Sequence, residues 1–299
     1  MSTVPSDTAA LLTPDFIAKI EQLQLVSRKI FMGKMRGERR SRRRGESVEF
    51  ADYRNYVVGD DLRHVDWNIY ARLEKLFLKL FLEEEDLHVS ILVDTSKSMD
   101  WGRPSKTLYA RRVAAAISYI GLANLDRVSV YAYAGGLQYE MAGLRSRRSL
   151  PKLLSFLSQT ECDGASDLSK ACKQFAIRHP QAGIVILLSD FFEKGGYEQG
   201  LKFLLGRRYD LYCIQMLSPE EIDPPLVGDL QLKDVEDGDL ADVTVSRALL
   251  NRYKANLQAY CGGLKEFCTR RGINYLFTGT DVPFEQIVLS YFRRRGLVA

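Results

Sequence analysis

Residues 88–98 read His-Val-Ser-Ile-Leu-Val-Asp-Thr-Ser-Lys-Ser, and this stretch decides the fold. Its first half is short and mostly apolar, which is typical of a buried strand, and its second half is a polar loop. Similar apolar runs recur downstream and alternate with segments of helical periodicity. The predicted strands cover residues 88–93, 127–133, 183–188, 209–216 and 274–277. This alternation predicts an α/β protein with a doubly wound, mostly parallel sheet of the Rossmann type.

The chain of 299 residues divides into two parts by its pattern. Residues 87–299 carry the alternating pattern, with an insertion rich in Asp, Pro and Gly near residues 218–245. Residues 1–86 are predicted to form a smaller N-terminal subdomain of helix and short strands. Its helix begins at Thr13-Pro14-Asp15, a capping hydroxyl followed by proline and an acid, and is expected to run to about Ile30.

Charge is distributed unevenly along the chain. The net charge is only +4, but residues 34–44 hold seven bases and one acid, and residues 83–86 are all acidic. An arginine-rich run can bind nucleic acid or an anionic membrane, or it can be a solvated arm that pairs with acids. No aromatic residues for base stacking interleave with it, so nucleic acid is the less favoured partner.

The cysteine and histidine content excludes a common kind of metal site. The chain has five cysteines and three histidines, and no two cysteines have Cys-x-x-Cys spacing. A thiolate–imidazole zinc site is therefore not expected. An odd, scattered set of cysteines suits free thiols in a reducing cytoplasm. The sequence shows neither a signal-peptide pattern nor an apolar run long enough for a membrane span, so we expect a cytoplasmic protein.

Oxygen-bearing residues follow the predicted strands where such a sheet binds ligands. In open α/β sheets, ligands bind beyond the carboxyl ends of the strands. Two carboxylates and several hydroxyls lie in three loops there, without sulfur or imidazole, and this donor set suits Mg²⁺ or Mn²⁺. The candidate ligands are Asp94, Ser96, Ser98, Ser166 and Asp190. The alternative is that they are ordinary turn and helix-capping residues.

These loops resemble the metal-ion-dependent adhesion site of von Willebrand factor A domains. The resemblance rests on Asp-x-Ser-x-Ser at residues 94–98, a hydroxyl before an acid at residues 166–167, and Ser-Asp at residues 189–190. It implies direct ligation by Ser96, Ser98 and Ser166, with Asp94 and Asp190 acting partly through water. The family usually has Thr where this chain has Ser166, and the missing methyl leaves the rotamer less restricted.

A second resemblance covers nearly the whole chain. Residues 54–67 read Arg-Asn-Tyr-Val-Val-Gly-Asp-Asp-Leu-Arg-His-Val-Asp-Trp, after an arginine-rich run and before Ala71-Arg72. This segment resembles the signature of the bacterial family catalogued as domain of unknown function fifty-eight, in its short form without membrane helices. The resemblance implies association with MoxR-type ATPases of the AAA+ class.

The signature segment also has a structural interpretation. Gly59 with the two following acids predicts a turn, and Trp67 is expected to be a core anchor. Arginines of the segment can form bidentate pairs with its acids. The residues concerned are Arg54, Arg63, Arg72, Asp60, Asp61 and Asp66. This interpretation makes the segment scaffold rather than a catalytic element.

Three classes of function remain open at this point. The favoured one is a non-enzymatic adaptor that offers its cation to a carboxylate on a client protein or on the ATPase. The second is a metal-dependent phosphohydrolase with Asp94 as nucleophile, but the position of the proton donor holds Ser96, a poor general acid. The chain also lacks a Gly-x-x-x-x-Gly-Lys-Ser/Thr phosphate loop. The third class, a basic nucleic-acid-binding protein, rests on the arginine run alone.

Overall fold

The computed structural model describes residues 11–25, 49–58, 62, 65–82, 87–236, 238–291, 293 and 297–298. Contacts divide the chain into two compact units, Glu38–Asp86 and Met1–Gly37 together with Leu87–Ala299. In chain order the strands are β1 (Glu49–Asn55), β2 (Phe77–Leu82), β3 (His88–Asp94), β4 (Arg127–Ala134), β5 (Gly136–Leu144), β6 (Gly183–Ser189), β7 (Tyr209–Leu217), β8 (Gly228–Lys233), β9 (Leu240–Val245) and β10 (Asn274–Gly279).

The helices are distributed between the strands. In chain order they are α1 (Pro14–Ile20), α2 (Trp67–Leu73), α3 (Lys106–Ala123), α4 (Leu150–Gln159), α5 (Leu168–Arg178), α6 (Glu198–Leu205), α7 (Pro219–Ile222) and α8 (Arg247–Arg270). A 3-10 turn covers Lys97–Asp100, and the short helical segments Phe284–Gln286 and Ile287–Tyr291 follow β10.

The larger unit is built on a six-stranded sheet of order β10-β7-β6-β3-β4-β5. Five of these strands are parallel, and β5 pairs antiparallel with β4 at one edge. The parallel strands are buried along almost their whole length, as strands covered on both faces must be. The predicted class, an α/β protein with a doubly wound and mostly parallel sheet, is confirmed.

Helices cover both faces of this sheet because side chains of each strand alternate between two cores. In β3, Val89, Ile91 and Val93 join one apolar cluster with α1, α3 and α4. Leu92 of the same strand joins the other cluster, with residues of α5, α6 and α8. This alternation is the period of two that a strand imposes on its side chains. Because helices cover both faces, the loops at the strand ends lie at the edge of the sheet.

Two parts of the larger unit differ from the sequence prediction. The strand β5 was not predicted, because its burial alternates irregularly and most of its side chains face solvent. The insertion near residues 218–245 contains the short helix α7 and an antiparallel hairpin of β8 and β9. Its strands are largely exposed, so they lack the apolar pattern that reveals a strand in sequence.

The start of the chain also differs from its prediction. Residues 1–86 were expected to form one subdomain, but α1 belongs to the larger unit, where Phe16 and Ile20 lie in the core. The helix ends at Ile20 rather than near Ile30. Leu25 instead makes an isolated bridge with Val298, so the chain is already extended there. Residues 26–48, including the arginine run, lie outside the described part.

The smaller unit consists of β1 paired antiparallel with β2, and of α2. Asp66 caps α2, since its Oδ1 accepts hydrogen bonds from two backbone N–H groups of the first turn, and its Oδ2 accepts one from the Tyr53 hydroxyl at 2.9 Å. The expected core role of Trp67 is wrong. Trp67 is 57% exposed at the first position of α2, and its ring packs edge-on against that of Tyr70.

Part of the signature segment is outside the described residues. This applies to the Gly59-Asp60-Asp61 turn and to Arg63, so their expected pairing stays a prediction. Within the described residues, no helix is both long and apolar enough to cross a membrane.

Candidate metal site

The first loop of the candidate site begins at the last residue of β3. This strand lies between β4 and β6, and the register places Asp94 beside Tyr133 of β4. The loop stays against β4 because the backbone N–H and the hydroxyl of Thr95 both donate to the Tyr133 carbonyl, at 2.8 and 3.0 Å. The polar loop therefore starts from a fixed point at the centre of the sheet edge.

The Asp94 carboxylate is the group at which the hydrogen bonds of the site converge. Its carboxylate is fully buried and accepts hydrogen bonds on both oxygens. Oδ1 accepts from the backbone N–H of Ser96 at 2.9 Å and from the Ser96 hydroxyl at 2.7 Å. Oδ2 accepts from the hydroxyls of Ser189 at 2.7 Å and Ser166 at 3.4 Å. Residues from all three predicted loops therefore meet at one carboxylate.

The two serines of the first loop have a spacing that suits a metal. Their hydroxyl oxygens, Oγ of Ser96 and Oγ of Ser98, are 3.0 Å apart. Two ligands at about 2.1 Å from an octahedral Mg²⁺, in neighbouring positions, are about 3.0 Å apart. Ser96 is buried and Ser98 is half-buried, so the outer side of the pair faces away from the core.

Backbone hydrogen bonds hold the second loop against the first. The Lys97 N–H donates to the Gly164 carbonyl at 3.0 Å, and the Asp163 N–H donates to the Thr95 carbonyl at 2.9 Å. Gly164 has a φ of +78°, a region that residues with a Cβ rarely adopt, so glycine permits this turn. The two bonds bring Ser166 to the Asp94 carboxylate, although more than 60 residues separate them in sequence.

The third loop contributes Asp190 in a different environment. One carboxylate oxygen, Oδ2, pairs with the Lys106 ammonium at 2.6 Å, and the other accepts from the Phe192 N–H at 3.0 Å. Lys106 is also fully buried and contacts Glu221 at 2.5 Å. The charges of the two acids raise the pKa of Lys106 despite the opposing effect of its burial. The buried lysine therefore fixes the Asp190 carboxylate, whose charge acts on Asp94.

The electrostatics leave negative charge uncompensated around Asp94. Burial, and then the nearby charge of Asp190, raise the pKa of Asp94 to about 6, although hydrogen bonds from Ser189 and Ser96 oppose this rise. Lys106 is paired with Asp190 and Glu221, and among the described residues no basic side chain forms an ion pair with Asp94. A bound cation would place positive charge beside this carboxylate.

The donor set fits a small hard cation. Ser96, Ser98 and Ser166 supply neutral oxygens, and Asp94 supplies the negative charge beside them. Among the described residues, no three His, Cys, Asp or Glu side chains are grouped as a metal site, so any cation here depends on the serine hydroxyls. A site with few direct protein ligands leaves positions for water or for an outside oxygen. Metal ligation by these five residues stays a prediction.

Four acidic or basic residues near the site were not identified from the sequence. Lys106 lies on the apolar face of α3, where a lone lysine gives no signal of its partner. Glu221 could have been noticed in the sequence, because Ser218 and Glu221 have the Ser-x-x-Glu spacing of a capping box, which they form in the structure. Glu193 accepts hydrogen bonds from the Leu168 N–H at the start of α5, and burial raises its pKa to about 7. Glu236 comes from the turn between β8 and β9, whose sequence has no metal-site pattern.

Several known proteins are similar to this chain over much of its length. The uncharacterized protein Rv1480 of Mycobacterium tuberculosis is 24% identical over 295 residues, which cover 96% of this chain and 92% of that protein. Among solved structures, the conserved hypothetical protein BatB from Bacteroides thetaiotaomicron has a TM-score of 0.44 at 16% identity, covering 70% of this chain and 98% of BatB. The SpRpn10 VWA domain has a TM-score of 0.38 at 10% identity, covering 68% of this chain and 94% of that domain.

The family comparison extends across both units. The model described as "protein of unknown function DUF58" matches residues 52–263. This range begins in β1 and ends within α8, so it includes the signature segment and all three loops of the candidate site. The chain belongs to the DUF58 family.

Proposed function

We propose that this chain is a metal-ion-dependent adaptor that binds other proteins and works with a MoxR-type AAA+ ATPase in the assembly or activation of clients. The observation that carries the proposal is the meeting of three loops at the Asp94 carboxylate, with serine hydroxyls at a spacing suited to octahedral Mg²⁺ or Mn²⁺. The part played by the ATPase rests on the family resemblance, which is an analogy.

The chemistry of the site explains how it would bind a protein. Neutral hydroxyls leave most of the charge of a divalent cation unneutralised, and Asp190 is already paired with Lys106. The cation therefore retains attraction for another anionic oxygen. The carboxylate of a partner Asp or Glu is the protein group that fits this position, and the loops keep it at the exposed edge of the sheet.

The phosphohydrolase alternative has less support from the site. A nucleophilic Asp needs a carboxylate oxygen that can reach a phosphorus atom. Asp94 is fully buried, and both of its oxygens accept hydrogen bonds. Metal-dependent hydrolysis of ATP or phosphate esters that disappears in Asp94→Asn would restore the enzyme hypothesis.

The cysteines bear on where the chain would act. All five are free, and three of them, Cys172, Cys213 and Cys268, are buried. Free thiols persist in reducing compartments. We therefore place the proposed function in the cytoplasm.

The proposal is tested by titrating a purified MoxR-type ATPase and candidate clients against three samples. These are the wild-type chain with Mg²⁺, the wild-type chain with chelator, and Ser98→Ala with Mg²⁺. The proposal expects binding in the first sample and weaker binding in the other two. Equal affinity in all three would show that the metal does not bridge the partners, and no binding of any ATPase would overturn the adaptor role.

A further inference from the structure

The turn of the β8–β9 hairpin brings another carboxylate to the candidate metal site. Glu236 lies in this turn, next to the Ser98 hydroxyl and the Ser166 backbone N–H. These are two of the three residues expected to offer hydroxyl ligands. The hairpin is inserted between α7 and α8, far in sequence from the three loops, so its contact with them is a feature of the fold.

Hydrogen bonds fix the shape of the turn that contains Glu236. Its backbone closes with hydrogen bonds from Asp234 N–H to the Asp239 carbonyl at 2.8 Å and from Gly238 N–H to the Asp234 carbonyl at 3.0 Å. The side chain of Asp234 accepts from the Glu236 N–H at 2.8 Å and pairs with Lys194 at 3.0 Å. Lys194 follows the third loop of the site, so this ion pair joins the hairpin turn to that loop.

The Glu236 carboxylate is incompletely satisfied in this position. Its Oε1 is buried, and among the described residues no donor reaches it with hydrogen-bond distance and geometry. A buried carboxylate oxygen without a partner is unfavourable, more so beside other acids. A cation between Glu236 and the serines would supply the missing partner.

We infer that Glu236 is an intramolecular carboxylate for the metal site, and that the β8–β9 hairpin competes with the acidic group of a binding partner for the cation. The inference rests on the proposed metal site. With the hairpin in place, Glu236 faces the cation on its open side and the site is closed to partners. Displacement of the hairpin turn, by a partner that binds more strongly, exposes the coordination position that Glu236 held.

The test uses Mn²⁺ as the probe, because bound Mn²⁺ reports its own water ligands through water-proton relaxation. Its affinity and the relaxivity of the bound ion are measured on the full chain for the wild type, Glu236→Gln and Asp229→Asn. Asp229 is the matched control, since it is an exposed acid at the other end of the same hairpin, where it accepts from the Thr244 hydroxyl. Both variants remove one negative charge from the hairpin and keep the side-chain shape.

We expect Glu236→Gln to bind Mn²⁺ about ten-fold more weakly, the lower end of the usual loss when a group around a metal is removed. The bound ion should carry about one more water, since Mg²⁺-like sites fill vacant octahedral positions with water. Added acetate should lower the relaxivity of Glu236→Gln at a smaller concentration than that of the wild type.

Two results would overturn the inference and leave the metal site standing. One is a wild-type chain that binds Mn²⁺ with the same affinity and relaxivity as Glu236→Gln. The other is a change in Asp229→Asn as large as that in Glu236→Gln, because the effect would then come from hairpin charge alone. If neither the wild type nor any variant binds Mn²⁺, the proposed metal site fails and the inference fails with it. Circular dichroism in chelator checks that each variant is folded.

Discussion

Replacing Asp94 by Asn should stabilise the metal-free protein. The pKa of Asp94 is raised by burial and by Asp190 from 3.8 to about 6, so its ionised form is disfavoured in the folded chain. A rise of this size corresponds to about 3 kcal/mol of unfolding free energy lost at neutral pH. Asn keeps the oxygen that accepts from Ser96, and its amide can donate to the hydroxyls of Ser189 and Ser166, which also accept hydrogen bonds. We therefore expect a net gain of about 1–3 kcal/mol.

The pH dependence of this gain has a definite sign. Between about pH 4 and 6, the folded wild-type chain holds a proton on Asp94 that the unfolded chain has lost. The stability of the folded chain therefore falls as pH rises through this window, and the full penalty is present above it. Asp94→Asn lacks the penalty. The difference between the two proteins should be near zero at the acid end and reach a plateau near neutral pH.

The assay is urea unfolding in chelator across this pH range, followed by the same series with Mg²⁺. A cation present at about 100 times its Kd should stabilise the wild type by about 2.7 kcal/mol, and Asp94→Asn should gain almost nothing. Asp163→Asn is the control, because Asp163 is in the second loop but its side chain is 81% exposed. If Asp94→Asn is less stable than the wild type in chelator by several kcal/mol, the reasoning about uncompensated charge is refuted.

Four further variants test other parts of the proposed site. Ser98→Ala should weaken Mg²⁺ binding by about ten-fold or more, measured by calorimetry, and should change stability in chelator by less than about 0.5 kcal/mol because Ser98 is only half-buried. Lys106→Met should lower the unfolding free energy by about 3–5 kcal/mol, since it leaves two carboxylates without their buried partner, whereas Lys97→Met should cost less than about 1 kcal/mol because the Lys97 pair is exposed. An equal loss in both lysine variants would contradict this difference. Ser166→Thr should strengthen Mg²⁺ binding by less than about 1 kcal/mol through rotamer restriction, and weaker binding would mean that the added methyl clashes.

The sheet and the positions of the site loops were predictable because both follow from local patterns. Buried parallel strands such as β6 are continuous apolar runs, and the helices between them have the period of their buried faces. The order of strands places the ends of β3 and β6 side by side, which brings Asp94 and Ser189 together. Oxygen-rich loops after buried strands were therefore sufficient to name the candidate ligands.

The parts that escaped prediction depend on contacts between distant segments. Lys106 is a buried lysine at the start of α3, and only the folded chain shows that Asp190 and Glu221 face it. Glu236 belongs to an exposed hairpin whose strands have no apolar period. Trp67 was misjudged because a large aromatic residue favours burial, whereas here it occupies the exposed first turn of a short helix. In each case the surroundings of the side chain depend on tertiary structure and not on the neighbouring sequence.

The most direct test of the central claim is a crystal structure of the chain grown with Mn²⁺, examined for anomalous scattering from the ion. We predict one strong anomalous peak at the carboxyl edge of the sheet, about 2.1–2.2 Å from Oγ of Ser96 and Oγ of Ser98 and close to Ser166 and the Asp94 carboxylate. We also predict that Asp190 stays paired with Lys106. The absence of a peak among these residues at saturating Mn²⁺, with the loops ordered, would contradict the claim that they form a metal site.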